Sequence, residues 1–463
     1  MTTITAVQSA YRVADPATGD VLEAFDTATN DEIEAAIASA AAAAQRELGR
    51  SVADRIDALH RTAQLLRERR TELAEIAVQE IGKSLAQAEA EVDFAADIFG
   101  YYASNAPQLT ADQLIPTAGT RAVIERRPLG VLLGIMPWNY PYYQVARFAA
   151  PNLAVGNTVL LKPAEWCPRS ALALQAVLHE AGVPQDVYTT LLADHEQIRT
   201  VIEDPRVAAV SLTGSERAGA AVAEIAGAAL KKVVLELGGS DAYVILDTES
   251  ISEAAATAWG MRMENMGQAC NSNKRIIIAA DIFDEFVVEL TSLASGLRPG
   301  NPLRLADDEY APLAARSAAE RLAQQVQDAV AKGATLHAGG QLGDPSTGYF
   351  APAVLTGVTP DMRAYREELF GPVAVVYRAA DEAEALRLAN DTDFGLGAAV
   401  FSQDVDRAVR FARTLDTGMV SINAPAAEGA DLPFGGVKRS GFGRELGPLG
   451  IDEFVNKRLL YMQ

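Results

Sequence analysis

"VAAVSLTGSERAGAAVAEIAGAALKKVVLELGG", residues 207–239, decides the fold. An apolar run ends at Gly214-Ser215, an alanine-rich stretch of helical spacing follows, and "KKVVLE" turns apolar again. Strand, helix and strand in that order form a βαβ unit, whose two strands lie parallel. Gly214 lets backbone approach a ligand closely, and the free N–H groups of the helix behind Ser215 suit a phosphate. The spacing to Gly219 is G-x-x-x-x-G rather than G-x-G-x-x-G. Taken alone, the turn also describes an ordinary βα connection capped by Ser215.

The alternation extends in both directions. Before the unit, "NTVLLKPA" reads as a strand, 169–182 as a helix stopped by Gly182 and Pro184, and "VYTTLLA" as a strand. Further upstream, "TRAVIERRPLGVLLGIMPW" reads as a hairpin turning at Arg127–Gly130, and helices are expected at 35–44, 52–82 (Asp54 as N-cap, Gly82 as stop) and 84–103. Downstream come "DAYVIL", strands at 274–280, 334–338, 373–378 and 397–401, helices at 281–297, 315–332, 382–390 and 404–415, and a terminal strand in "FVNKRLLYMQ". Glycines around Gly238–Ser240 mark a domain boundary. "GFGRELG" at 441–447 has no strand before it and reads as a loop.

The chain has 463 residues, enough for two or three domains; 49% are apolar and 22% charged, as in soluble globular proteins. A net charge of −21 argues against nucleic-acid and anionic-membrane partners. Cys167 and Cys270 are the only cysteines, so a reducing cytoplasm is the simplest setting. The first residues lack the basic start and apolar stretch of a signal peptide, and no apolar run is long enough to span a membrane. His60, His179, His195 and His337 show no metal-ligand spacing, so no metal is expected.

Three short stretches point to chemistry. Cys270 sits in "NMGQACNSNKR", where Gly267 and Asn271 favour a turn. A nucleophilic cysteine needs access, a lowered pKa or a base, and donors for the oxyanion it generates; a lone buried thiol needs none of these. Glu236 ends an apolar strand, where desolvation raises a carboxyl towards the range of a general base. Asn139 stands between two prolines in "PWNYP", a rigid amide suited to an oxyanion hole.

With "KPAE" (162–165), "TGS" (213–215), "ELGG" (236–239), "GQAC" (267–270), "EELFGPV" (367–373) and "PFGGVKRSG" (433–441), these stretches occur in an order that closely resembles the aldehyde dehydrogenase superfamily, over about residues 10–460. The resemblance implies an α/β fold of three parts: a Rossmann-like NAD-binding domain (1–118 and 138–239), an α/β catalytic domain (240–430), and a small β bridging element (119–137 with 448–463) that joins a partner subunit in a dimer or tetramer. It implies Cys270 as nucleophile, which needs an accessible thiolate. Asn139 and the Cys270 N–H become oxyanion donors, and Glu236 the base that hydrolyses a thioester. It places Trp138, Lys162, Glu165, Gly214, Ser215, Leu237, Glu368 and Phe370 around the cofactor. A carboxylate at Glu165 accepts from a ribose diol and repels a 2′-phosphate, which favours NAD over NADP. Since Asn271 and Ser272 follow Cys270, no local disulfide is expected.

Within the superfamily, bacterial succinate-semialdehyde dehydrogenases are most similar. Arg147 stands where those enzymes carry an arginine for the distal carboxylate; Phe434 belongs to the same pocket. Glu264 and Glu428 depart from the pattern. Two carboxylates there repel an anionic substrate and suit an amino-aldehyde, unless Glu264 is neutralised by Arg262 or Arg147. An amino-aldehyde or broad-specificity aliphatic aldehyde dehydrogenase is therefore the alternative. CoA-acylating relatives typically lack the base that Glu236 supplies, and non-catalytic relatives usually lose the cysteine or the glutamate.

Overall fold

In the computed structural model, which describes residues 10–117 and 121–462, the 207–239 stretch folds as strand Val207–Thr213, helix Glu216–Ala228 and strand Lys232–Glu236, with the two strands parallel and adjacent. Ser215 caps the helix by accepting from the Ala218 N–H. The expectations that fall on residues 1–9, 118–120 and 463 lie outside the described residues.

This unit sits in a six-stranded sheet ordered 441–442, 232–236, 207–213, 131–135, 158–162 and 188–190. All its pairings are parallel except that of Gly441–Phe442 with Leu235–Glu236. Leu132, Leu133, Val159, Leu160, Leu161 and Val210 are fully buried, because helices cover both faces. The chain leaves this sheet at Glu236 and enters a second at Ala242. The second sheet has seven strands ordered 335–338, 353–356, 373–379, 275–279, 242–245, 398–401 and 421–422, parallel after the first pair, and is again covered on both faces. Two doubly wound sheets meeting at 236–242 place the end of one beside the start of the other, where glycine-lined turns converge.

The third sheet corrects the expected hairpin. Arg121–Pro128 pairs with Val455–Met462 and Gln113–Ile115, whereas Val131–Ile135 lies inside the six-stranded sheet between Val207–Thr213 and Thr158–Lys162. The three-stranded sheet is therefore built from 113–115, 121–128 and 455–462, and 131–135 is not part of it. The chain passes from one sheet to the other at Gly130, whose φ is 121° and whose N–H is held by Asn157 Oδ1 at 2.9 Å. The distinguishing signal is burial: "VLLGI" is a continuous apolar run fit for a central parallel strand, while the preceding strand carries charge.

Smaller corrections follow the same logic. The 52–82 helix is two, Val52–Glu68 and Arg70–Ile81, and Ser51 rather than Asp54 is the cap, accepting from the Asp54 N–H. Gly82 does stop the second in the left-handed conformation. Helices Tyr143–Val155, His195–Glu203 and Ile251–Met263 add to those expected. "GFGRELG" is not a free loop: Gly441–Phe442 is the edge strand beside Glu236, and Glu445 pairs across to Phe434.

Candidate active site

The cysteine loop begins with an abrupt turn. Helix Ile251–Met263 ends, and Asn265 (φ 44°), Met266 (φ 54°) and Gly267 (φ 71°) follow in the left-handed region. Two non-glycine residues there cost on the order of 1–2 kcal/mol each. The loop is held by bonds that offset this: Asn265 Nδ2 donates to Asn139 O (2.8 Å) and Gln268 O (3.3 Å), and Asn139 Nδ2 donates to Gln268 O (2.9 Å). "PWNYP" and "GQAC" thus lock together, two residues before the sulfur. Arg262, fully buried, donates to Ser272 Oγ (2.7 Å), Leu369 O and Val373 O, fixing the loop from beneath. Lys274 Nζ donates to Ala269 O and Cys270 O, both at 2.7 Å.

Cys270 is half-buried and lines a cavity of about 340 Å³. Burial pushes its thiol up to about 12; Arg147 and Lys274 favour the thiolate, and Glu368 and Glu236 oppose it. The apolar surroundings thus oppose the thiolate that the nucleophile needs, and the two cations support it.

Glu236 is 2% exposed, and neither carboxyl oxygen has a hydrogen-bond partner among the described residues. Burial raises its pKa well above the carboxylate range; Arg147 opposes that shift and Glu445 adds to it. Gly435 (φ 152°) packs against it, where a Cβ would stand 2.6 Å from Oε1. A buried acid with no hydrogen bond to commit its proton has the character of a general base or acid.

The cavity is walled by Phe94, Tyr143, Leu432 and Phe434, with Gln87, Gln144 and Tyr140 as polar groups. Three carboxylates line it, Glu91, Glu264 and Glu428, and no lysine, arginine or histidine among the described residues does. Glu91 is committed. It pairs with buried Lys83 at 2.5 Å and accepts from the Tyr142 and Tyr143 N–H groups at the start of helix Tyr143–Val155. Glu264 accepts from Tyr140 Oη at 2.7 Å, so neither Arg262 nor Arg147 neutralises it. Glu428 stands exposed at the rim, yet partial desolvation of its carboxyl, and then repulsion from Glu264, raise its pKa.

Arg147, expected at the substrate's distal carboxylate, is 0% exposed and is not among the residues that line the cavity. Its Nε pairs with Glu445 Oε2, its guanidinium stacks 4.4 Å from the Phe434 ring, and it donates to Tyr143 Oη (3.2 Å) and Thr213 Oγ1 (3.3 Å). A guanidinium with its own buried carboxylate is not free for a substrate's. Glu445 is the residue that sequence reading missed. It sits in "GFGRELG", and the one cue was a carboxylate placed between glycines.

On the opposite side of the sulfur, Trp138 lies between Trp166 (5.4 Å) and Phe370 (5.6 Å). Lys162 Nζ holds Glu165 Oε1 at 2.5 Å, with His195 3.8 Å away. Gly219 lets the helix settle on Leu237, whose Cδ2 would be 2.7 Å from an added Cβ. Glu368 forms an ion pair with Lys274 (3.0 Å) and accepts from the Gly239 N–H (3.1 Å), and its Oε2 fills the space beside Gly238. The uncovered first turn behind Gly214-Ser215 suits a pyrophosphate, and two carboxylates already oriented by lysines suit ribose hydroxyls. These residues fit a dinucleotide.

The chain matches the model of the Aldehyde dehydrogenase family over residues 4–460. It is 52% identical to a Deinococcus radiodurans protein named succinate-semialdehyde dehydrogenase (NADP(+)), over 97% of this chain and 94% of that one. It is 43% identical to a Mycobacterium ulcerans protein of the same name, numbered 1, over 97% and 98%. Among solved structures, the succinic semialdehyde dehydrogenase of Streptococcus pyogenes with NADP+ superposes with a TM-score of 0.95 at 38% identity, covering 98% of this chain and 99% of that one. The expected preference for NAD finds no support in these likenesses. The chain belongs to the aldehyde dehydrogenase family and is an oxidoreductase that takes an aldehyde to its carboxylic acid.

Proposed function

We propose that the chain oxidises succinate semialdehyde or a similarly short semialdehyde, with Cys270 as nucleophile and NADP as the cofactor to test first. The observation that carries the chemistry is a half-buried sulfur opening on a cavity, with an unpartnered buried carboxyl and a clamped asparagine beside it. The names of the relatives support the substrate and the cofactor.

Cys270 Sγ releases its proton to solvent and adds to the aldehyde carbon, and the oxygen becomes an oxyanion received by Asn139 Nδ2 and the Cys270 N–H. A nicotinamide held by these residues would supply the acceptor for the hydride leaving the thiohemiacetal carbon, and a thioester would remain on Cys270. Glu236, once ionised, takes a proton from water; the resulting hydroxide attacks the thioester carbon, the C–S bond breaks, and the acid leaves. Lys162, Glu165, Gly214, Ser215, Glu368 and Phe370 hold the dinucleotide, with Trp138 and Leu237 as its apolar support. Lys162 is bonded to Glu165, so a 2′-phosphate there has to share that ammonium.

A second reading rests on one feature. Glu264 and Glu428 line the cavity with no cation among its described lining residues, and Lys83, which acts on Glu264, is already paired with Glu91; this favours a cationic amino-aldehyde over an anion. Comparing kcat/KM for succinate semialdehyde, a neutral aldehyde of the same length and an aminated one, with NADP and with NAD, decides both questions. A carboxylate preference supports the first reading, and an amine preference the second. For the domains, we propose the six-stranded sheet as the cofactor domain and the seven-stranded one as the catalytic domain. Self-association is proposed through the three-stranded sheet, where Leu114 (64% exposed) and Leu459 (60%) stand open; light scattering gives the mass. A reducing, cytoplasmic setting suits the two unpaired cysteines.

A further inference from the structure

Lys274 is 1% exposed in its side chain, and its ammonium has three donors. Two are donated to Ala269 O and Cys270 O, both at 2.7 Å, and the ammonium also forms an ion pair with Glu368 Oε1 at 3.0 Å. The two acceptors are backbone carbonyls at the nucleophile, and the ion-pair partner is the carboxylate assigned to the cofactor ribose.

The Ala269 carbonyl and the Cys270 N–H belong to one planar trans peptide and point in opposite directions. Binding that carbonyl therefore fixes where the Cys270 N–H points. That N–H donates to no group among the described residues. A cation on the carbonyl also polarises the peptide and strengthens its N–H as a donor.

We propose that Lys274 is a positioning residue that aims the Cys270 N–H for the oxyanion and ties the nucleophile loop to Glu368. This rests on the reading of Cys270 as nucleophile. Glu368 draws on the same ammonium that holds the loop, so a change at the cofactor carboxylate reaches the sulfur through Lys274. The groups acting electrically on Cys270 are Lys274 and Arg147, which favour the thiolate, and Glu368 and Glu236, which oppose it; Tyr140 and Tyr143 also face it.

The test is alkylation of the cofactor-free protein by iodoacetamide, from about pH 6 to about pH 10, with Cys270 and buried Cys167 read separately by peptide mass. Lys274→Met is expected to slow Cys270 alkylation about tenfold at every pH, and Glu368→Gln to speed it several-fold. The opposite signs separate electrical coupling from general loosening, which speeds both variants and exposes Cys167. In turnover, Lys274→Met is expected to lower kcat with KM within about twofold, as a lost transition-state donor does. Alkylation that is unchanged or faster in Lys274→Met, or unchanged or slower in Glu368→Gln, overturns the proposal; if Lys274→Met does not fold, Glu368→Gln alone decides it. Wild-type protein without aldehyde oxidation overturns the proposed function instead, and leaves the alkylation result standing.

Discussion

The two sides of Cys270 treat carboxylates differently. On the cofactor side each assigned carboxylate has a lysine: Glu165 with Lys162, Glu368 with Lys274. On the substrate side Glu264 accepts from a tyrosine hydroxyl and shares the field of Lys83, which Glu91 already pairs, and Glu428 faces Glu264. A paired carboxylate is an oriented acceptor with little net field, which suits ribose hydroxyls. An unpaired one sends its field into the cavity and acts on whatever charge the substrate carries. The first side is built for geometry, the second for charge selection.

The largest effect expected lies between the sides. Cys270→Ala should lower kcat/KM by at least about 10⁴-fold while the dinucleotide still binds, measured by cofactor fluorescence titration; retained turnover would put the chemistry elsewhere. Glu236→Gln should cut steady turnover by roughly 10²–10⁴-fold and leave a burst of reduced cofactor in stopped flow. In wild type the ascending limb of the pH–kcat profile should lie well above the ordinary carboxylate range, because the raised Glu236 works only after losing its proton. That limb should vanish in the Gln variant.

Behind the substrate wall, Arg147→Met strands Glu445 and leaves Glu236 without its nearest cation. The expected loss is about 3–5 kcal/mol in denaturant unfolding. A selective loss of affinity for carboxylated aldehydes at full stability would return Arg147 to the substrate site. The smallest effect sharpens the contrast most. Glu428→Gln should lower KM for succinate semialdehyde roughly threefold and leave a neutral aldehyde unchanged. An equal change for both would mean the rim carboxylate does not read substrate charge.

The comparison also shows what a sequence discloses. On the cofactor side the βαβ unit and its Ser-capped helix follow from local order, while the carboxylates were assigned by the family resemblance. Cys270, Glu236 and Asn139 each break a local rule, as a thiol on a turn, a carboxylate ending an apolar strand and an amide between prolines, and it was the order of the motifs that joined them into one site. The substrate side was not legible, since its charge balance depends on partners far apart in the chain. Arg147 meets Glu445 across 298 positions (445 − 147), and nothing near either residue announces the other. The supposed hairpin at 121–135 failed for the same reason. Arg127–Gly130 looks like a turn locally, but Val455–Met462 and Val207–Thr213 claim the two strands for different sheets.

The most direct test of the mechanism is the mass of Glu236→Gln protein after a single turnover with succinate semialdehyde and NADP. The expected result is one acyl group added, mapping by peptide fragmentation to Cys270 and removed by hydroxylamine. An unmodified protein after reduced cofactor has formed, or an adduct on any other residue, would contradict the account.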